Sequence, residues 1–414
     1  MRIGFIATRL NGTDGVTLEV QKWAKILAKL GHDIYYCAGE LGGYAKNGTV
    51  IPELHFADQT VYALSKKAFG ADPDPDGDEL ADQIYSRADE MRAPLRSFIR
   101  SNHLDLIIVQ NALTIPMNLP LGVSLTGLIA ELGIDTIAHH HDFFWERQRY
   151  QTNVILDLLD TAFPAKLPNI QHVTINSIAK ARLNARRGID SIVIPNVLDF
   201  AAPPPQFDDF NQDFRSSLGL QKDDLFILQP TRVVQRKGIE MAFELVKGLN
   251  LPKPRLYISH RSDDEGLTYW RWLKREASVM GVEVQLIDHL IGTERGTMNG
   301  HKIYSLWDAY LNTDLITYPS LYEGFGNALL EAIYLKKLTV VNRYPVYNAD
   351  IKPKGFKFIE LDGFVNENIV EETRLLLNAP DEVRKLTDQN YQIAQEYFSL
   401  EILESKLKDL LSNF

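Results

Sequence analysis

Short unbroken apolar runs and longer stretches with a three-to-four-residue apolar period alternate along almost the whole chain. Residues 3–7 form one such run. After a polar loop over residues 11–15, Val20, Trp23, Ala24, Leu27 and Leu30 recur on one side of a helix that Gly31 stops. The two make a strand and a helix joined by a glycine-bearing turn. Further apolar runs at residues 34–38, 104–109, 136–140, 172–175 and 191–194 read as parallel strands buried on both faces, with helical stretches between them at 80–100 and 154–163.

Residues 200–213, FAAPPPQFDDFNQD, carry three consecutive prolines and no periodicity, the signature of an interdomain linker. The alternation then restarts, with strands expected at 225–229, 255–259, 282–287, 315–318 and 338–342 and helices at 238–247, 267–280, 302–310 and 328–335. The expected fold class is α/β: two Rossmann-like doubly wound parallel-sheet domains, residues 1–199 and 222–395, joined by a linker over 200–221. In that arrangement the carboxyl ends of the two sheets face a central cleft, the usual ligand position in such folds. The tail has Ser399 as its expected N-cap and apolar residues at Ile402, Leu403, Leu407, Leu410 and Leu411, so it needs a surface to dock on.

Composition narrows the function classes. The 414 residues exceed a single core, and 45% hydrophobic with 24% charged residues is ordinary for a packed enzyme. A net charge of -10 argues against a duplex nucleic-acid partner, which calls for a clustered positive excess. Cys37, the only cysteine, allows no intrachain disulfide and no multi-cysteine zinc site, which fits a reducing cytoplasm. The N-terminus lacks signal-peptide character, and the longest apolar stretch, 119–134, is broken by Pro120, Ser124, Thr126 and Glu131. A cytoplasmic protein with no integral membrane segment is expected, its oligomeric state open.

Three constellations carry chemistry. In QPTRVVQRKG, residues 229–238, Arg232 and Lys237 straddle a strand-to-helix turn, so both cations can reach an anion seated on the helix N-terminus; the bland alternative is a pair of solvated loop charges. Arg236 reads as facing solvent. In YPSLYEGFGNALLEA, residues 318–332, Glu323 lies in a loop and Glu331 about two helical turns on. Gly324 and Gly326 permit close backbone approach, and Asn327 is expected to cap the helix, against the alternative of a capped helix with two surface glutamates. In TIAHHHDFFWER, residues 136–147, strand alternation puts His139 and His141 on one face and His140 on the other; a zinc site lacks further ligands at suitable spacing.

The Glu323 and Glu331 spacing around GFG, the Arg232 and Lys237 turn, and VIPNVLD at 193–199 resemble the retaining glycosyltransferases of family four (glycosyl transferases group 1), which have the GT-B fold. The resemblance covers nearly the whole chain. It implies a nucleoside-diphosphate sugar donor, of GDP-mannose or UDP-glucose type, bound as substrate with no cofactor or metal. Arg232 and Lys237 would hold the diphosphate, Glu323 the sugar hydroxyls and Glu331 the ribose, with Gly324, Phe325, Gly326 and Asn327 completing the donor site. His141, before Asp142, matches a histidine that closes this strand near the donor sugar, and the loop with Gly12, Asp14 and Gly15 resembles the glycine loop on the acceptor side. The last helix, 396–414, would cross back to the first lobe. PMNLPLG, HHHDFFWERQRY, QPTRVVQRKGIE and YEGFGNALLEAIY are also similar to mannosylglucosylglycerate-type synthases, implying a small soluble acceptor, anionic and glucosylglycerate-like; Arg147, Arg149 and Lys180 are candidate anion contacts, against the favoured reading of solvated charges.

Other readings stay in view. A sugar-nucleotide epimerase or hydrolase shares the donor grip but needs a further acid and base, and a non-catalytic sugar-nucleotide-binding module keeps the fold without turnover. DPDPDG, residues 72–77, starts like a calcium loop, but Glu79 and Gln83 stand where an apolar residue and a glutamate are needed, so a solvated acidic loop is expected. Lys180, Arg182, Arg186 and Arg187 lie on a short helix whose charges read as a solvated face in place of a lipid-binding one. SHRSDDEG, residues 259–266, replaces the small glycine-rich turn usual in the family, with His260 or Arg261 as subfamily-specific contacts.

Overall fold

Apolar runs rich in β-branched residues make strands that disappear into the interior, and the computed structural model, which describes residues 1–12, 14–70, 76–261 and 268–414, follows that rule. Contacts divide the chain into two compact units, Met1–Asn196 with Leu403–Phe414, and Val197–Ile402. In the first, strands β1 (Arg2–Ile6), β2 (Asp33–Ala38), β3 (Gly48–Val50), β4 (Leu106–Gln110), β5 (Asp135–His140), β6 (Ile170–Thr174) and β7 (Ile192–Val193) form one parallel sheet in the order β3-β2-β1-β4-β5-β6-β7. Every residue of β4 is buried. Leu95 and Phe98 from helix Gly77–Ser101, with Leu121, Leu125 and Leu128 from helix Leu119–Leu132, share one core cluster with Ile107 and Val109. Asp76 caps helix Gly77–Ser101 by accepting from the Glu79 amide; residues 71–75 of the acidic loop lie outside the described residues.

The second unit repeats the design. Strands β8 (Ile227–Arg232), β9 (Arg255–His260) and β10 (Glu283–Leu286) are followed by a small three-stranded sheet of β11 (Ile291–Gly292), β12 (Gly296–Met298) and β13 (His301–Ser305). Then come β14 (Leu315–Tyr318), β15 (Thr339–Asn342) and β16 (Ile359–Leu361), which complete a parallel sheet in the order β10-β9-β8-β14-β15-β16. The order reverses at β8, so the tips of β8 and β14 are the topological switch point of this unit. Both large sheets being parallel, with helices between strands, the α/β double-Rossmann class is what the chain adopts.

The helix expected over 302–310 is a correction. Residues 301–305 are β13, and the helix is Leu306–Asn312. Asn299 and Gly300, both at positive φ (52° and 78°), form a tight turn that pairs β12 antiparallel to β13. Ser305 then starts the helix, its Oγ receiving the Asp308 amide while its own amide donates to Asp308 Oδ2 at 2.9 Å. A hairpin stem and a helix start share one apolar stretch, which the periodicity alone merges.

Residues 200–221, read as a linker, pack into the second unit. Phe200 sits edge-on to the rings of Tyr334 and Tyr391 at 5.7 and 5.3 Å. Buried Asn211 donates to Asp308 Oδ1 at 3.0 Å, and Arg295 bridges Asp308 and Asp208. At the other end, helix Leu400–Leu411 buries Leu403, Leu407 and Leu410, and within the first unit Lys29 pairs with Glu404 at 2.6 Å while Lys406 donates to the Val193 carbonyl at 3.3 Å.

Asp308 is fully buried and accepts from Arg295, Asn211 and Ser305. Asp308→Ala therefore orphans several donors at once and is expected to destabilise the second unit by about 1–3 kcal/mol, read as a lower denaturant midpoint; an unchanged midpoint contradicts the assignment.

Candidate active site

At the switch point of the second unit two loops hold each other. The first leaves β8 through a register irregularity between Gln229 and Arg232, makes a short 3-10 turn at Gln235–Lys237 and enters helix Ile239–Gly248 through Gly238. Gly238 has φ 58°, and a Cβ there would lie 2.4 Å from the Pro319 carbonyl oxygen on the second loop, so both conformation and closeness require glycine. The Leu321 amide donates to the Arg236 carbonyl at 2.8 Å, joining the loops through backbone.

Between them lies Glu323, 6% exposed. Lys237 Nζ donates to its Oε1, and Arg236 donates to its Oε2 at 3.0 Å and to the Tyr322 carbonyl at 3.1 Å. Arg236, read from sequence as facing solvent, is instead part of the carboxylate cluster. Burial pushes the Glu323 carboxyl up, but the charges of Lys237 and Arg236 outweigh it and hold the group at about 2. Burial lowers Lys237, and the neighbouring charges of Arg236 and Arg232 lower it further against the pull of Glu323. Two cations thus act on one carboxylate at the carboxyl edge of the sheet, and Arg232 adds its charge beside Lys237.

The loop after β14 ends at a second special glycine. Gly326, at φ 124°, is the N-cap of helix Asn327–Tyr334, and a Cβ on it would meet Tyr344 Oη at 2.6 Å. Asn327 is consequently the first helical residue and not the cap expected of it; no side chain caps this N-terminus. Phe325 is buried, its carbonyl receiving Tyr344 Oη at 2.8 Å and its ring packed edge-on to Phe398. Glu331 accepts from Tyr310 Oη at 2.9 Å, which orients its carboxylate in the first two turns of the helix. The site residues Arg232, Lys237, Glu323, Gly324, Phe325, Gly326, Asn327 and Glu331 all belong to this unit, Arg232 at the end of β8 and the others in the loops and helices that follow β8 and β14.

In the first unit the strand alternation holds. His139 and His141 lie ring to ring at 4.4 Å, Trp23 from helix Gly15–Lys29 stacks on His139 at 4.3 Å, and His140 on the opposite face bonds His172 at 2.9 Å. Burial drives all four histidines down, His141 and His172 to about 4, so they are neutral at physiological pH. His141 Nε2 meets Gln110 Oε1 at 3.1 Å, and its backbone amide donates to Asn111 Oδ1 at 2.8 Å. Asp14 spends its carboxylate on the helix cap, accepting from the amides of Val16 and Thr17 and from the Thr17 hydroxyl at 2.8 Å. Gly12 turns at φ 83° with its amide on Asn11 Oδ1, Gly15 opens the helix, and Thr13 lies outside the described residues.

Several candidate anion contacts have local partners. Arg147 grips Asp142 Oδ2 through Nε and Nη2, both at 2.5 Å; Arg149 lies over the Tyr150 ring; Lys180 pairs with Asp190 at 3.1 Å. On the basic helix, Ser177–Arg187, Arg182 pairs with Glu146, Arg187 with Asp160, and Arg186 covers the Trp145 ring. In the second unit Arg261 pairs with Asp288 at 3.0 Å and Ser259 Oγ meets His260 Nδ1 at 2.6 Å; residues 262–266 of that segment lie outside the described residues. Among the described residues no group of three His, Cys, Asp or Glu side chains is arranged to hold a metal ion, and no helix is long and apolar enough to cross a membrane. Sequence reading missed Gln110, whose only signal is a polar side chain ending the run LIIVQ, and the buried Glu19, paired with Lys22.

Two parallel doubly wound units, the second with a cation cluster at its switch point, make the GT-B fold, and the comparisons give the family. The family model "Glycosyl transferases group 1" matches residues 210–393. Mannosylglucosylglycerate synthases from Petrotoga mobilis and Thermotoga maritima are each 32% identical to the chain, covering 97% and 100% of it and 99% of each relative. Among solved structures, a glycosyltransferase from Rickettsia africae ESF-5 superposes with a TM-score of 0.69 at 14% identity, covering 99% of this chain and 97% of that one. Anabaena Alr3699/HepE in complex with UDP and glucose gives 0.68 at 13%, covering 100% of both chains. Identities that low carry the fold alone. The chain belongs to the group 1 glycosyltransferases, and its relatives across its full length are mannosylglucosylglycerate synthases.

Removing the carboxylate strands a buried ammonium. Glu323→Ala is expected to cost about 3–5 kcal/mol in stability of the second unit, while the double variant Lys237→Met/Glu323→Leu costs less than the sum of its parts by about 1–3 kcal/mol. A denaturant double-mutant cycle measures both; strict additivity contradicts a coupled pair.

Proposed function

We propose that the protein is a retaining hexosyltransferase that moves a sugar from a nucleoside-diphosphate donor, of GDP-mannose or UDP-glucose type, to a hydroxyl of a small anionic acceptor such as a glucosylglycerate-like glycoside. The observation that carries the donor half is the gathering of Arg232, Arg236 and Lys237 at the switch point, beside two helix N-termini, at Gly238 and Gly326, without side-chain caps. A diphosphate meets all of these at once, and charge-assisted bonds to it replace part of what the cations now find in Glu323. Support for the acceptor half comes from the relatives' names, mannosylglucosylglycerate synthase. His141 is assigned a catalytic place near the donor sugar, and Gly12, Asp14, Gly15 and Asp142 are assigned to the acceptor side.

In the reaction the acceptor oxygen bonds to the anomeric carbon as the bond from that carbon to the diphosphate oxygen breaks. The acceptor proton passes to the departing phosphate oxygen, and the products are a glycoside and a nucleoside diphosphate. Arg232 and Lys237 lie where negative charge grows on the leaving group, so they stabilise the transition state more than the ground state. Glu323 and Glu331 orient sugar and ribose hydroxyls; neither serves as the acid of a glycosidase pair.

Incubation with a panel of sugar nucleotides and acceptors separates the readings. Acceptor-dependent release of nucleoside diphosphate supports transfer, an epimer or free sugar without acceptor supports an epimerase or hydrolase, and binding without turnover supports a sugar-nucleotide-binding module. Arg232→Ala and Lys237→Ala are expected to lower kcat/KM by about 100-fold or more with the fold retained by circular dichroism, and near-normal rates would sink the diphosphate assignment. Because protein cations carry the leaving-group charge, turnover is expected to persist in excess EDTA.

A further inference from the structure

We infer that Gln110 is a positioning residue that holds the His141 ring in one tautomer, Nε2–H donated to the glutamine and the Nδ1 lone pair left to accept a substrate hydroxyl. Its catalytic consequence rests on the glycosyltransfer proposed above; the tautomer does not.

The geometry begins with register. β4 and β5 are parallel with Gln110 opposite His139, so the Gln110 side chain shares a face with His139 and, two residues on, with His141. Gln110 Oε1 lies 3.1 Å from His141 Nε2, and an amide oxygen can only accept, which makes the ring nitrogen the donor. Three further contacts keep the ring from turning. Asn111 Oδ1 holds the His141 backbone amide from a left-handed conformation (φ 57°), His139 packs on one side of the ring, and Trp23 backs His139.

The arrangement has a cost. Gln110 is 2% exposed, and among the described residues its Nε2 has no hydrogen-bond partner, nor has either ring nitrogen of His139. Unsatisfied buried groups of this kind are rare, and an apolar residue at 110 would remove one of them. Orienting His141 is what a glutamine supplies here and an apolar residue does not. The charged and titratable groups around the ring are His139, His140 and Asp142 on or just after β5, and Asp14 and Lys22 at and in helix Gly15–Lys29. Burial, the strongest influence among them, leaves the ring neutral with a proton on one nitrogen only.

Spectra of the full-length protein labelled with 15N-histidine test the tautomer directly, with His141 assigned by the signal lost in His141→Phe. A protonated Nε2 and a bare Nδ1 at pH 7, giving way to mixed tautomers in Gln110→Leu, are expected; a protonated Nδ1 in the wild type overturns the inference. Gln110→Glu keeps the shape but places a carboxylate on Nε2, raising the ring pKa and favouring an imidazolium that has no lone pair to offer. Donor turnover by that variant is expected to fall about tenfold per pH unit below the raised pKa and to recover at pH 8.5, while the wild type stays flat from pH 6 to 8.5. A Gln110→Glu profile as flat and fast as wild type overturns it equally. If the wild type transfers sugar from no donor, the proposed function fails while the tautomer result still stands.

Discussion

Glu323 is a carboxylate taken out of water and bonded by two cations, Lys237 and Arg236, that reach it from the other loop of the switch point. Charges buried in this way are costly unless paired, so neither loop can move without exposing the other to that cost. The glycines follow from the same constraint. Gly238 is forced by the closeness of Pro319, and Gly326 by the Tyr344 hydroxyl and by a φ of 124°. Burial lowers Lys237, and the charges of Arg236 and Arg232 lower it further against the pull of Glu323. The donor diphosphate proposed for this protein would bring its charge to this cluster.

Much of this was legible in the residues because parallel strands buried on both faces read as apolar runs, and because Arg232, Lys237, Glu323 and Glu331 sit on strand-to-helix turns whose geometry follows from the fold. What was not legible depends on tertiary partners. Arg236 looks like any exposed loop arginine until the second loop brings Glu323 to it. Asn327 is a good capping residue by type, yet the close packing around residue 326 hands the cap to glycine. The Asn299 and Gly300 turn was present in the sequence but hidden by apolar residues that fit a helix equally well, so β13 was merged with the helix that Ser305 begins. Residues 200–221 have linker composition, but Phe200 and Asn211 are buried by contacts that composition does not record.

The first unit uses its charges differently. Arg147, Arg182 and Arg187 are paired with acids of the same unit, and each pair spends a cation that might otherwise have served a ligand. Its candidate chemistry lies instead in neutral groups, the histidines at the end of β5 and the amides of Gln110 and Asn111 that meet His141. In the proposed transfer the cationic groups would serve the leaving diphosphate and the neutral ones the hydroxyls.

The central claim is that the cluster around Glu323 is built for a diphosphate, and calorimetric titration of the full chain with GDP and UDP, their monophosphates and the bare nucleosides tests it most directly. Two charge-assisted bonds are worth about 3 kcal/mol together, so at least one diphosphate should bind about 100-fold more tightly than its nucleoside, with most of the difference gone in Lys237→Met. Equal affinity for nucleoside and diphosphate, or a preference untouched by that substitution, would contradict the account.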